Sequence, residues 1–351
     1  MNLNIAVLPG DGIGPEIIEE AKKVLNAVAK KYNHTFNYEH GLVGAAAIRA
    51  TGNPFPDETF DLCKKSDAIL FGAIGDPEFD NNPKAKVRPE QGLLAMRKKL
   101  GLYANIRPIT TFKALLCKSP IKAEIIDGVD ILVIRELTGG IYFGDRGRNN
   151  GDNSAYDTCT YSKAEIVRIL HYAFGEAMKR KKHLTVVDKA NVLETSRLWR
   201  ETAQEMASQY PAVHLDFMYV DNAAMQLIQF PKKFDVMVTE NMFGDILTDE
   251  ASVITGSLGM APSASVGEMT SLFEPIHGSY PQAAGKNIAN PMGTILSAAM
   301  LLESKGLDEE AEEIYRSVTS ALEIDVVTED IKASSKMSTS NVGDWIAINI
   351  K

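Results

Sequence analysis

The chain has 351 residues, 45% hydrophobic and 24% charged, the balance of a soluble globular protein long enough for two domains. Its formal net charge of −9 argues against a nucleic-acid or anionic-membrane surface, because phosphate contacts require a surplus of Lys and Arg, although local basic clusters can still capture small anions. Cys63, Cys117 and Cys159 lie far apart with no CxxC, no apolar run approaches about 18 residues, and no basic n-region or apolar h-region precedes the first strand; we expect a cytoplasmic protein with free thiols, no transmembrane helix and no signal peptide.

The first element is a strand, "NIAVL" from Asn4, which meets a glycine-rich turn and then the helical pattern "PEIIEEAKKVLNAVAKKY". Strand, glycine loop and helix invite comparison with a dinucleotide-binding fingerprint. Gly10, Gly12 and Gly14 are evenly spaced, however, where that fingerprint needs G-x-G-x-x-G, and no isolated acidic residue stands about 20 positions on to take a ribose. The loop reads as a tight turn, with Pro15 at the first helical position, where a missing N–H costs nothing. A second strand is "AILFGA" from Ala68. Three arginines then occupy unusual settings: Arg97 late in a short helix, "LLAMRKKLG"; Arg107 in "YANIRPI"; and Arg135 at the end of the buried strand "DILVIREL". Guanidinium forks suit carboxylates and phosphates, and a structural ion pair is the alternative for each. Past Arg135, the Gly pair in "ELTGGIYFG" makes a turn that can aim Tyr142 back at the same place.

From Arg146 to Ser162 the periodicity lapses into "RGRNNGDNSAYDTCTYS", which reads as a disordered loop or as an arm ordered by another subunit. Alternation then resumes with helix "AEIVRILHYAFGEAMKRK", strand "LTVVD", helix "SRLWRETAQEMASQY", strand "LDFMYV", helix "NAAMQLIQF" and strand "FDVMVT". This order predicts an α/β fold on a largely parallel sheet, and such sheets bind ligands beyond the carboxyl ends of their strands. Lys189 stands there, either as a base or as a solvated loop lysine. Asp221 stands at a helix start, where an N-cap is the simplest reading. In "TENMFGDILTDEAS", Asp245 and Asp249 lie four apart on one helix face; like charges at that spacing repel unless a cation sits between them, and Mg²⁺ or Mn²⁺ takes such oxygens, with a merely solvated face as the alternative that Ile246, Leu247 and Ala251 do little to support. "LFEPIHGSYPQAAGKNIANP" from Leu272 is a long Gly-, Pro- and Asn-rich loop that offers N–H groups to an anion. The last third turns helical, with "PMGTILSAAMLLESKG", "LDEEAEEIYRSVTSALE" and a helix around Trp345, and no internal repeat or low-complexity tract is seen.

Together these motifs resemble one family, the isocitrate/isopropylmalate dehydrogenases, which are metal-dependent, β-decarboxylating enzymes of 2-hydroxy acids. The likeness runs in order from "LPGDGIGPE" through "NIRP", "VIRELTGGIYFG", "VDKANVLE", "YVDNAAMQL", "ENMFGDILTDEAS" and "EPIHGS" to "GKNIANP", nearly the whole chain. The resemblance implies two open α/β domains, not a Rossmann fold, with the active site in the interdomain cleft. A discontinuous domain of residues 1–102 plus 255–351 would hold the cofactor, and residues 103–254 would carry the dimer interface and the intersubunit arm. By the same resemblance, Arg97, Arg107 and Arg135 hold the substrate carboxylates. Asp245 and Asp249, with Asp221 from the partner, bind Mg²⁺ or Mn²⁺, and Asp221 also borders the substrate. Lys189, again from the partner, is the general base, and Tyr142 helps protonate the enol carbon.

Within the family the likeness is greatest to enzymes that act on 3-isopropylmalate in leucine biosynthesis. It implies NAD-dependent oxidative decarboxylation through 2-isopropyl-3-oxosuccinate to 2-oxo-4-methylpentanoate and CO₂. Glu90, Leu93, Leu94 and Val192 would face the isopropyl group, Glu90 repelling the third carboxylate of isocitrate. The cofactor would lie against Glu90, His277, Gly278, Ser279, Gln282, Ala283 and Asn290, its nicotinamide end near residues 72–90. Gln282 stands where NAD-preferring members commonly have Asp and NADP-preferring ones a basic residue, so NAD is expected with weaker discrimination. Alternatives are a same-family dehydrogenase of D-malate, tartrate, homoisocitrate or isocitrate, or a non-catalytic homologue, which would show erosion at the Arg, Lys, Tyr or Asp positions.

Overall fold

The structure, a computed structural model, describes residues 1–80, 85, 87–149, 151 and 153–351. Its strands in chain order are β1 (Asn2–Gly10), β2 (Thr35–His40), β3 (Ala68–Ala73), β4 (Leu102–Thr110), β5 (Asp130–Glu136), β6 (Arg146–Asn149), β7 (Ser154–Asp157), β8 (His183–Asp188), β9 (His214–Tyr219), β10 (Val236–Thr239), β11 (Pro262–Gly267) and β12 (Leu272–Pro275). The chain forms two compact units, Met1–Leu102 with Thr255–Lys351, and Tyr103–Ile254. No helix among the described residues is long and apolar enough to cross a membrane.

In the first unit the strand order is β2-β1-β3-β12-β11. β1 runs parallel to both β2 and β3, β12 is parallel to β3, and β11 turns back antiparallel to β12. All six residues of β3 are buried, as befits a strand covered on both faces. Helix Gly14–Tyr32 buries one stripe, including Ile17, Ala21, Val24 and Val28, and ends at Asn33 in the left-handed region. Pro15 is its second residue rather than its first. In helix Met292–Glu303 every residue from Met292 to Leu302 is buried, which suits its nearly unbroken apolar sequence.

The even glycine spacing of the first loop has a steric cause. Gly12 has φ +57°, and a Cβ there would lie 1.9 Å from the carbonyl oxygen of Ser279. That carbonyl accepts the Ile13 N–H at 2.8 Å. Asp11, between the glycines, accepts the N–H groups of Ala45, Ala46 and Gly75 at 3.0–3.1 Å. The loop is thus a backbone junction with the segment from His277, not a phosphate cradle.

In the second unit the order is β4-β5-β10-β8-β9, with β4 antiparallel to β5 and all other pairs parallel. Ile131 and Val133 of β5, Val187 of β8 and Met237 of β10 join Leu227, Leu247 and Ala251 from the helices in one buried cluster. The polar stretch from Arg146 contains an exposed antiparallel ribbon, β6 with β7. Its positions 150 and 152 lie outside the described residues, as do 81–84 and 86 of the segment expected near the nicotinamide.

Candidate active site

The parallel strands of the second unit end beside one another, and each delivers a functional group there. Arg135, the penultimate residue of β5, is only 5% exposed. Its Nε donates to Asn241 Oδ1 at 3.0 Å, its Nη1 donates to Asp245 Oδ1, and its guanidinium lies 5.7 Å from the Tyr142 ring centroid. Tyr142 donates its hydroxyl to the other Asp245 oxygen at 2.8 Å. Burial, and then Asp245, raise the phenol above its usual value of 10. On β4, Arg107 donates Nε to Asn105 at 2.8 Å and Nη1 to Thr248 at 2.7 Å and Asp249 at 3.2 Å. Asp245 and Asp249 are one turn apart on helix Asn241–Ser252, and each carboxylate meets an arginine from a strand.

The Gly turn that presents Tyr142 rests on a buried acidic mount. Gly140 has φ +74°, and a Cβ there would lie 2.6 Å from the Tyr161 hydroxyl. Tyr161 in turn accepts the Asn241 N–H at 2.9 Å and donates to Glu240 at 3.4 Å. Glu136, wholly buried, accepts the N–H groups of Thr138 and Gly139, each at 2.8 Å. Burial pushes the Glu136 carboxyl above its ordinary range, and those bonds hold it back in part. Sequence reading missed Glu136, Tyr161 and Glu240. The one available signal was an acid directly after Arg135 in an otherwise apolar strand, since a buried charge must be partnered.

Lys189 follows β8, and its Nζ lies 2.8 Å from Asp221, whose carboxyl the lysine holds below the usual range. Helix Val220–Gln229 begins with Tyr219 as N-cap, so Asp221 sits in its first turn, and the N-cap reading is corrected. Val192, three residues past Lys189, is exposed. Among the described residues, His183, His214 and Asp216 are the only group of three His, Cys, Asp or Glu residues whose ligand atoms all lie within 4.8 Å of one another. One chain therefore does not gather Asp221 with Asp245 and Asp249. The latter two still suit a hard divalent cation: both offer carboxylate oxygens, share a helix face and keep solvent access, with side-chain exposures of 41% and 72%.

In the first unit, Glu90 lies exposed in the first turn of helix Pro89–Leu100; Leu93 is half-buried and Leu94 exposed along it. Arg97, later in that helix, is 3.7 Å from the Glu274 carboxylate, the ion pair that its alternative reading required. His277, Gly278 and Asn290 line a cavity of about 790 Å³ with Ile13, Leu258 and Tyr280. Burial lowers the His277 imidazole below its ordinary value, so it stays uncharged at neutral pH. Asn290 Nδ2 donates to Asp330 at 3.1 Å, and Asp330 and Glu329 also face the cavity. Ser279 and Ala283 are buried off its wall and Gln282 is exposed. The mixed wall and size suit an organic cofactor. Tyr280 lies in the glycine- and proline-rich loop that the sequence marked, whereas Glu329 and Asp330 carried no motif that would have singled them out.

Arginines and carboxylates gathered at the strand ends of an open α/β sheet stand where such sheets bind small ligands. A family model described as isocitrate/isopropylmalate dehydrogenase matches residues 4–346. A 3-isopropylmalate dehydrogenase of Bacteroides fragilis (strain YCH46) is 60% identical, covering 100% of this chain and 99% of the relative. One from Geobacillus kaustophilus (strain HTA426) is 56% identical over 95% of this chain and 91% of the relative. Among solved structures, an isocitrate dehydrogenase from Methylococcus capsulatus matches with a TM-score of 0.89 at 33% identity, covering 99% of both chains. The chain belongs to the isocitrate/isopropylmalate dehydrogenase family. It is a β-decarboxylating dehydrogenase with that family's fold.

Proposed function

We propose that this protein is a cytoplasmic homodimer that oxidises and decarboxylates 3-isopropylmalate in leucine biosynthesis, with NAD and Mg²⁺ or Mn²⁺. The observation that carries the reading is the cluster in which Arg135 and Tyr142 meet opposite oxygens of Asp245. When bound, NAD supplies the hydride acceptor and the divalent cation the positive charge that favours loss of CO₂. Asp245 and Asp249, with Asp221 of the partner subunit, would hold the cation. Arg97, Arg107 and Arg135 bind the two substrate carboxylates as forks. Lys189 of the partner subunit takes the proton of the 2-hydroxyl as C2 is oxidised. Tyr142, which keeps its proton at neutral pH, delivers it to the carbon that has lost CO₂.

Two further observations support the details. Neither Lys nor Arg occurs among the described residues lining the cavity at His277, whereas Glu329 and Asp330 do; such a wall opposes a 2′-phosphate and favours NAD over NADP. His277, Gly278 and Asn290 would meet the cofactor from that wall, with Glu90, Ser279, Gln282 and Ala283 completing its surroundings. Met225, Ile228, Phe230, Ile246 and Val253, on or just beyond two neighbouring helices of the second unit, are exposed and apolar, a surface suited to a second copy.

Glu90, Leu93, Leu94 and Val192 select the isopropyl group; an apolar pocket discriminates by only about 1–3 kcal/mol per methylene, so other alkylmalates should also react. The test is NADH formation with 3-isopropylmalate, D-malate, tartrate, homoisocitrate and isocitrate. The highest kcat/KM should fall to 3-isopropylmalate, and chelation should abolish turnover until Mg²⁺ or Mn²⁺ is restored. A higher kcat/KM with isocitrate would move the enzyme elsewhere in the family. Full activity after exhaustive chelation would remove the metal from the mechanism.

A further inference from the structure

We propose that His183, His214 and Asp216 form a second metal site, for a borderline divalent cation of the Zn²⁺ type, at the end of β8 and β9 remote from Lys189 and Asp221. His183 opens β8, His214 opens β9, and the two are register partners on adjacent parallel strands. Asp216 lies two residues beyond His214 and therefore on the same face. The two imidazole centroids are 5.1 Å apart. His183 Nε2 lies 3.5 Å from Asp216 Oδ2, is shielded from solvent, and makes no hydrogen bond. One donor atom from each of the three residues lies within 4.8 Å of the others.

Ligand atoms around a tetrahedral zinc, with bonds of about 2.0–2.1 Å, are about 3.4 Å apart. Closing that gap calls for rotation of the half-exposed Asp216 and exposed His214 side chains. The backbone beneath is already set. The His214 N–H donates to the Lys182 carbonyl at 2.8 Å, and the His183 N–H donates to Asp235 at 3.3 Å. Arg180, which bonds the same Asp235 at 2.9 Å, is neutralised there and by Asp130.

Two imidazoles with one carboxylate favour Zn²⁺ and disfavour Mg²⁺, which prefers all-oxygen sites. The six-residue strands β8 and β9 separate this cluster from Lys189 and Asp221 by about 17 Å. The donors therefore differ from the aspartate cluster both in chemistry and in place. A bound cation would pin the edge strand β9 to β8 and hold in register the two strands that carry Lys189 and Asp221.

The test uses the full chain in saturating Mg²⁺, which masks the aspartate cluster, and titrates Zn²⁺ by calorimetry in the wild type and in the His183→Gln/His214→Gln double variant. The wild type should bind one more Zn²⁺ per chain than the variant, and Zn²⁺ at a hundredfold excess over Kd should raise its Tm by about 3 °C more. Unchanged Mg²⁺-dependent activity in the variant certifies its fold. Should the variant not fold, Co²⁺ replaces Zn²⁺ in the wild type and in His214→Asn; tetrahedral cobalt absorption in the wild type that His214→Asn abolishes supports the site. Equal Zn²⁺ stoichiometry in wild type and double variant, or cobalt spectra indifferent to His214→Asn, would overturn it and leave a plain histidine–aspartate pair.

Discussion

Tyr142 can act as an acid only if it enters the reaction protonated, and its surroundings ensure that. Burial comes first and the Asp245 carboxylate second; both favour the neutral phenol over the phenolate, so its pKa stands above 10. The nearby Arg135 works in the opposite sense without reversing the shift. Tyr142 therefore starts from the neutral phenol at neutral pH. Replacing Tyr142 by Phe keeps the ring over Arg135 and deletes only the hydroxyl. Because general acid catalysis contributes about 10²–10⁴-fold, kcat should fall by that order while KM for 3-isopropylmalate changes less than about fivefold. Steady-state kinetics of Tyr142→Phe decide it: a kcat within threefold of wild type would take Tyr142 out of the proton transfer.

The helix Asn241–Ser252 approaches β5 so closely that one of its residues must lack a side chain. A Cβ on Gly244 would lie 2.6 Å from Arg135 Cγ and 2.7 Å from its Cβ. Gly244→Ala should therefore push the guanidinium off Asn241 and Asp245 and raise KM about tenfold. The helix-propensity gain of about 1 kcal/mol offsets much of the overpacking cost of about 1–3 kcal/mol, so Tm should drop only slightly. Gly175, inside helix Lys163–Lys179, meets nothing within 4 Å, and Gly175→Ala should stabilise by roughly 0.5–1 kcal/mol with kinetics unchanged. Thermal melts and kinetics on the two variants separate site geometry from helix stability; identical KM values would refute the steric argument. Legibility followed the same division. β3, β5, β8 and β10 were readable because buried parallel strands are continuous apolar runs. β2, "TFNYEH", is largely exposed and polar, and β4 carries Arg107 and Pro108, so neither shows that signal. Arg135, Tyr142, Asp245 and Asp249 drew notice in the sequence through their local setting, and the fold joins the first three in one cluster. Glu136 and Tyr161 were not, because their partners at Glu240 and Asn241 are brought to them only by the fold.

Whether one chain suffices for catalysis turns on three aspartates and a lysine. Lys189 pairs with Asp221, Asp245 and Asp249 share another helix, and no third donor of the required kind joins the latter two among the described residues. In the composite dimer we propose, each site combines Asp245 of one subunit with Lys189 of the other, and two-fold symmetry makes two such sites. Lys189→Met and Asp245→Asn should each be nearly inactive as pure dimers. A hybrid of the two then contains one site with both defects and one with neither, the intact site drawing Asp245 from the first variant and Lys189 from the second. Random pairing makes about half of all dimers hybrid, each with one working site, so roughly a quarter of wild-type activity should return on mixing. The variants must be unfolded and refolded together, because a dimer held by an arm such as the β6–β7 ribbon would exchange subunits slowly. Differently tagged subunits allow the hybrid to be isolated and its specific activity measured directly, where about half the wild-type value is expected. An isolated hybrid with no activity would put Lys189 and Asp245 of the same chain in one site, and the composite arrangement would have to be abandoned.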